Sequence, residues 1–227
     1  MKLLSTANTK TLKGEKFGYK THILHLAPFD VSGYQVCPKA SAGCALACLN
    51  TAGRGKFDNV QNARIRKTKM FFEARSEFMA QIVKDIRKAI VKSANDGMIP
   101  LIRLNGTSDI AFEKIRVVDA GIEYRNLMEL FPDVKFYDYT AIVGRTVPDN
   151  YHLTFSRKES NDSDVELAIA NGLNVAVVFD KLPSHYMGLP VISGDDTDIR
   201  INDPVNVIIG LKAKGKAKKD TTGFVIK

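Results

Sequence analysis

YHLTFSRKESNDSDVELAIANGLNVAVVFD, residues 151 to 180, decides the fold. It opens on a short run of aromatic and β-branched residues (151–157), which reads as a strand. A polar turn follows, then a helical period over roughly 162 to 171, and then NVAVVFD (174–180), apolar almost without interruption. A run apolar at both parities is a strand covered on both faces, as in a parallel sheet. Strand, helix and strand in that length make one βα unit with a right-handed crossover.

The same reading extends outward in both directions. LPVISGDD (189–196) and VNVIIGL (205–211) follow as strands, and VKFYDYT (134–140), IPLIRLNG (99–106) and THILHLAP (21–28) precede. Six strands in βα alternation, and a seventh before a basic tail, predict a single α/β domain over 1–227, built as a partial (βα)6 barrel or an open parallel sheet. Between the strands, the spacing predicts a long helical region from about 59 to 92, broken near Arg75 and Ser76 with Ser76 as a cap, and an amphipathic helix over about 111 to 131. Met70, Phe71, Phe72 and Met79 read as core. Residues 1–20 read as an N-terminal arm or edge hairpin, 29–58 as a cysteine-rich loop and 212–227 as a basic C-terminal tail.

Composition narrows the classes. The chain has 227 residues, 44% hydrophobic and 26% charged, which excludes a disordered, collagen-like or disulfide-stapled chain. No apolar run approaches the roughly 20 residues of a membrane span, and the opening MKLLSTANTK turns polar too soon for an export signal. A cytoplasmic protein is expected, with no membrane partner. The net charge of +8 is uneven: residues 64–92 carry an excess of +6 and residues 212–227 one of +5. Two basic segments on a slightly acidic body suggest an anionic partner, nucleic acid or another polyanion.

Parallel α/β folds gather their chemistry at the carboxyl ends of strands. There the chain places the cysteine loop, then Asn105, Gly106, Thr107, Ser108 and Asp109, then Ser156 and Arg157, and Asp195, Asp196 and Asp198. The acidic trio reads as a turn rather than a cation site, and His152 and His185 as structural. GLKAKGKA (210–217) has the skeleton of a phosphate-binding loop but ends on Ala217 where Ser or Thr is required, and reads as basic surface. No serine sits in a nucleophile-elbow context.

CPKASAGCALACL holds Cys37, Cys44 and Cys48 at C-x6-C-x3-C. Clustered cysteines that order a loop of about thirty residues point to a metal or cluster. A structural zinc would need a fourth ligand such as His22 or His25, whose opposite parity lets at most one face the loop. Three thiolates suit a [4Fe-4S] cluster with one open iron. Arg54, in the Gly-Arg-Gly that follows, could neutralise the cluster or hold a carboxylate.

A three-cysteine loop after the first strand of a βα array resembles the radical S-adenosylmethionine (SAM) enzymes, although their usual spacing is C-x3-C-x2-C. CPKASAGCALACLNTAGRG is also similar to the cysteine stretch of a small phage family, gene product eighty-eight. The resemblance implies a radical SAM-like core, cluster ligation by Cys37, Cys44 and Cys48, and a SAM site drawing on Asn105, Ser108 and Asp109 for the amino group and on Ser156 and Arg157 for ribose and carboxylate. If phage-encoded, the protein would work in the host cytoplasm. The expected function is an iron-sulfur, radical SAM-like enzyme acting on an anionic substrate such as a nucleotide or nucleic acid. The alternative is a zinc-binding protein that contacts nucleic acid, or an interaction protein, without catalysis.

Overall fold

A computed structural model of the chain describes residues 1–6 and 9–227. Residues 7 and 8, part of the expected N-terminal arm, lie outside the described residues. The chain begins with β1 (Leu4–Ser5), α1 (Thr9–Glu15) and β2 (Tyr19–Leu24), so the arm is an edge strand and a short helix. The cysteine segment contains α2 (Ala42–Leu46) and two short 3-10 turns, Leu49–Thr51 and Gly53–Lys56. It leads into α3 (Asp58–Glu73), α4 (Arg75–Asn95) and β3 (Ile99–Arg103). Then come β4 (Val117–Asp119), β5 (Ile122–Tyr124), α5 (Leu127–Leu130), β6 (Lys135–Thr140) and β7 (Tyr151–Ser156). The last third holds α6 (Asp162–Ala170), β8 (Val175–Phe179), β9 (His185–Tyr186), β10 (Leu189–Ser193), β11 (Ile208–Lys212) and β12 (Val225–Ile226).

These strands form an open sheet in the order β1-β2-β3-β6-β7-β8-β11-β10-β9, and β12 also pairs with β8. From β2 to β10 every neighbouring pair is parallel; β1 and β9 are antiparallel edges. Of the two expected architectures, the open parallel sheet is the one formed. Its central strands follow chain order, and α3, α4 and α6 all pack on one face. That face carries Leu24, Ile102, Leu104, Phe136 and Leu153 against Phe78, Ile82 and Ile86 of α4, and Phe155, Val175 and Val177 against Val165 and Ala168 of α6. Burying these side chains, each worth about 1.5–3 kcal/mol, is what fixes the register.

The opposite face is more polar. Leu101 and Tyr137 pack beneath Ile199, and Ile209 beneath Val207, so residues 194–207 cover its lower half. Arg103 donates to Asp198 at 3.1 Å and Tyr137 donates to the same carboxylate at 2.9 Å. Asp198 is thus spent on an internal ion pair. Asp195 accepts from Lys212 N at 2.9 Å and from Lys214 at 2.6 Å, so the acidic trio works as the turn its sequence suggested.

Two local expectations are corrected. Residues 111–131 form a 3-10 turn, the β4–β5 hairpin and the single turn α5 rather than one helix. The three- and four-residue apolar spacing is real, but Ala120 and Gly121 both adopt positive φ (49° and 82°), the primed turn that closes a two-residue hairpin between β-branched segments. The long helical region breaks at Ala74, and Ser76 does not cap α4, which has no side-chain cap. The break is held by Arg75, whose Nε donates to Phe71 O at 2.6 Å while its guanidinium lies 3.6 Å from the Phe71 ring. Phe71 and Met79 are core as expected, whereas Phe72 is partly exposed and stacks on Tyr34 with ring centroids 4.5 Å apart.

Candidate functional site

The cysteine loop lies across the carboxyl ends of β2, β3 and β7, and the protein's own contacts order it. Tyr34 stacks on Phe72 and donates to Glu73 at 2.9 Å, pinning the start of the loop to α3. Val36 is buried and its carbonyl accepts from Asp109 N at 2.8 Å. Glu159, after β7, accepts from Ser41 Oγ and Gly43 N, both at 2.6 Å, and so clamps the start of α2. Gln61 of α3 exchanges hydrogen bonds with Asn50 at 2.8 and 2.9 Å. A metal is therefore not needed to explain why the loop is ordered; the clustering of three cysteines within twelve residues still requires a reason.

The C-terminal segment completes this clamp. It makes a 3-10 turn, Gly215–Lys219, and then β12, which pairs in parallel with Val178 and Phe179. Ala47 of the cysteine loop packs with Ala213, Ala217 and Val225. Gly43 sits where a Cβ would fall 2.7 Å from Phe224 Cβ and 2.9 Å from Glu159 Cδ. Gly43→Ala is therefore expected to cost about 2 kcal/mol through overpacking, read as a lower urea midpoint. An unchanged midpoint would mean that this junction is looser than described.

Cys37, Cys44 and Cys48 are each partly buried and reduced. They lie near enough for their charges to interact, and burial pushes the Cys37 thiol up to about 11 and the other two upward as well. Phe29 N lies 3.4 Å from Cys37 Sγ and Asn50 N 3.5 Å from Cys48 Sγ, each amide aimed at a sulfur. Among the described residues, no group of three His, Cys, Asp or Glu side chains is placed to hold one metal ion. A cubane cluster takes each thiolate on a different iron, so its ligands need not meet at a point.

Two cations flank the thiols. Lys158 is only 6% exposed, makes no ion pair within 4 Å among the described residues, and is held below the usual lysine range by burial; Cys44, Asp109 and Cys37 act in the opposite direction. Arg64 of α3 is also lowered by burial, with the Cys48 sulfur opposing; its Nη1 donates to Asn50 Oδ1, and its Nε is buried with no hydrogen-bond partner. Leaving such groups without an anion is expensive. Neither residue stood out in the sequence.

The residues expected around a SAM site are placed differently from one another. Asn105 accepts from Ser108 Oγ and Ile110 N, both at 2.8 Å, and donates to Ile110 O at 3.0 Å, so it and Ser108 fix the turn after β3. Arg157 donates to Asp162 and to the carbonyls of Gly223 and Phe224, holding the C-terminal strand. Arg54 is exposed on the 3-10 turn; Arg64 is the guanidinium beside Cys48. Asp109 lies close enough to Cys37 and Cys44 for its charge to act on both. Its carboxylate accepts from Ala141 N at 2.8 Å and Arg145 at 3.2 Å, and burial raises it against those contacts. Ser156 is half-buried on the polar face with Arg103 and Tyr139, as the register requires.

The histidines divide as their parity requires. His22 points to α4, with Nε2 3.1 Å from Ser93 Oγ, and burial lowers it to about 4. His25 lies on the polar face, lowered to about 3 by burial and by Arg64, Arg103 and Lys67. Neutral His25 is thus the imidazole nearest the loop's cations. His152 Nε2 is buried with no partner, lowered by burial and Arg200.

Comparison with known proteins gives one match. A family model described as Gene product 88 matches residues 2–227. No curated protein and no solved structure matches the chain. Among the described residues, no helix is long and apolar enough to cross a membrane. The chain belongs to the gene product 88 family, the phage family its cysteine segment resembles.

Proposed function

We propose that this gene product 88 protein holds a [4Fe-4S] cluster on Cys37, Cys44 and Cys48 and uses it in radical SAM-like chemistry on an anionic substrate, a nucleotide or nucleic acid. The observation that carries the reading is the pair of cations at the thiols, Arg64 beside Cys48 and buried Lys158 beside Cys44 and Cys37, neither of them in an ion pair within 4 Å among the described residues. A cluster on three thiolates is anionic, and two adjacent cations would offset its charge in the low-dielectric interior. When bound, the cluster supplies one-electron chemistry and an open iron position for a small molecule.

The chain's own residues supply the rest. Arg64 and Lys158 stabilise the thiolates electrostatically, and the amides of Phe29 and Asn50 donate toward two of the sulfurs. Asp109, next to the thiols, is the carboxylate available to receive an amino group, steadied by Arg145. The upper polar face, with Arg103, Tyr139 and Ser156, is the surface on which a substrate would lie. Cytoplasmic function accords with a free-thiol loop, since three reduced cysteines are ordinary there.

Anaerobically isolated protein is expected to be brown and to bleach in air. Cys37→Ala, Cys44→Ala and Cys48→Ala should each lose the broad absorption near 400 nm while keeping the wild-type far-ultraviolet circular dichroism. Colour that survives any of the three substitutions would remove that cysteine from the ligand set. Folded wild-type protein that is colourless and carries zinc would favour the alternative, a zinc-binding protein without turnover.

A further inference from the structure

The sequence contains two basic segments, and folding leaves exposed cations on both. Of the nine cations of α3 and α4, four are engaged: Arg64 donates to Asn50 Oδ1, Lys67 donates to Leu3 O at 2.7 Å, Arg75 lies on Phe71, and Arg87 pairs with Asp119. Arg66, Lys69, Lys84, Lys88 and Lys92 remain exposed, spread along two helices on which the exposed ring, Phe72, is already stacked on Tyr34.

The C-terminal segment gathers its cations on one short turn. Its 3-10 turn, Gly215–Lys219, packs beside the Leu49–Thr51 turn of the cysteine loop, and a Cβ on Gly215 would lie 3.2 Å from Ala52 Cβ. The turn with Lys216, Lys218 and Lys219 thus meets the loop at Ala52, directly before the Gly53–Lys56 turn that carries Arg54 and Lys56. All five are exposed, and none is in an ion pair among the described residues. Asp220, the acid closest in sequence, is occupied by the amides of Thr222, Gly223 and Val225. Phe57, 51% exposed, and Leu49, 60% exposed, stand on the same loop.

We infer that this rim, formed by residues 53–57 and 215–219, binds single-stranded nucleic acid. Unpaired lysines and an arginine supply the contacts a phosphodiester backbone requires, and an exposed phenylalanine among them is a platform on which an unpaired base stacks. A duplex hides its base faces and would leave Phe57 unused. The inference rests on the anionic partner of the reading above and not on the cluster, because no cysteine contributes to the rim.

The test is fluorescence anisotropy of a labelled 20-nucleotide single-stranded DNA of mixed sequence, titrated with the 227-residue chain at several salt concentrations. Affinity should fall steeply with salt. Reversing Arg54, Lys216, Lys218 and Lys219 to Glu should weaken binding at least about tenfold and flatten the salt slope. Phe57→Ala should weaken it about fivefold or more without changing that slope. Lys84→Glu with Lys88→Glu should leave it within about twofold. Wild-type protein titrated before and after exposure to air should bind equally, which separates this inference from the cluster. No binding at low salt would overturn it, as would loss confined to the α4 variant. Equal competition by polyglutamate together with a silent Phe57→Ala would also overturn it, and would assign the rim to an acidic protein.

Discussion

Acidification from pH 7 to pH 4 is expected to remove about 4 kcal/mol of folding stability, most of it through two histidines. Burial lowers His22 to about 4, helped by Lys20, Lys92 and Lys2 and opposed by Asp96. His25 is lowered to about 3 by burial and by Arg64, Arg103 and Lys67, with Asp198 opposing. In the unfolded chain both take up a proton near pH 6.5, whereas in the folded chain they stay neutral well below it. The unfolded state therefore binds more protons, and stability falls as pH drops below about 6.5. Asp138 acts in the other direction: burial raises it to about 6, so the folded state gains by its protonation between about pH 6 and pH 4. Two histidines outweigh one carboxyl. Urea midpoints at pH 7, 5.5 and 4.5 should decline, and the double variant His22→Gln, His25→Gln should flatten the decline. Wild-type stability that holds steady over that range would refute the assignment.

Asp138→Asn should destabilise the protein by roughly 3 kcal/mol at pH 7.5, or about 6–12 °C in Tm. The side chain is fully buried and accepts from four donors: Leu104 N at 3.2 Å, Asn105 N at 2.8 Å, Asn105 Nδ2 at 3.3 Å and Tyr151 Oη at 2.8 Å. Arg103 Nε lies 3.8 Å away on the charged side of the same carboxylate. An amide would set its own two N–H groups against donors and leave Arg103 with less countercharge. Both faults fall at the turn that carries Asn105 and Asp109, so the candidate site should loosen with the core. Tyr151→Phe removes one donor only and should cost about 1 kcal/mol. A Tm for Asp138→Asn within about 2 °C of wild type would show that the carboxylate is not what fixes this turn.

The parallel sheet was legible because its strands are buried on both faces and so lose the polar alternation that would confuse strand with loop. Residues 174–180 show this best. The hairpin at 117–124 was not legible from periodicity, since Ile115, Val118 and Ile122 also suit a helix; the decisive signal was Asp119-Ala120-Gly121, a turn sequence inside the supposed helix. The cysteines could be found because their clustering has no packing explanation. Their cations could not. Arg54 is near them in sequence, whereas Arg64 reaches Cys48 because it shares an inward stripe of α3 with Gln61 and Thr68. A cation on that stripe is the signal that was available. Lys158 follows a strand, where a lysine is ordinarily solvated, yet it is buried beside the cysteine loop. The C-terminal segment itself reads as a free tail until Arg157 and Gly43 are seen to receive it.

The most direct test of the cluster reading is iron and acid-labile sulfide content per chain in protein isolated without oxygen. The account predicts about four of each, bound through Cys37, Cys44 and Cys48 with Arg64 and Lys158 as countercharges. About one zinc per chain with no sulfide would contradict it.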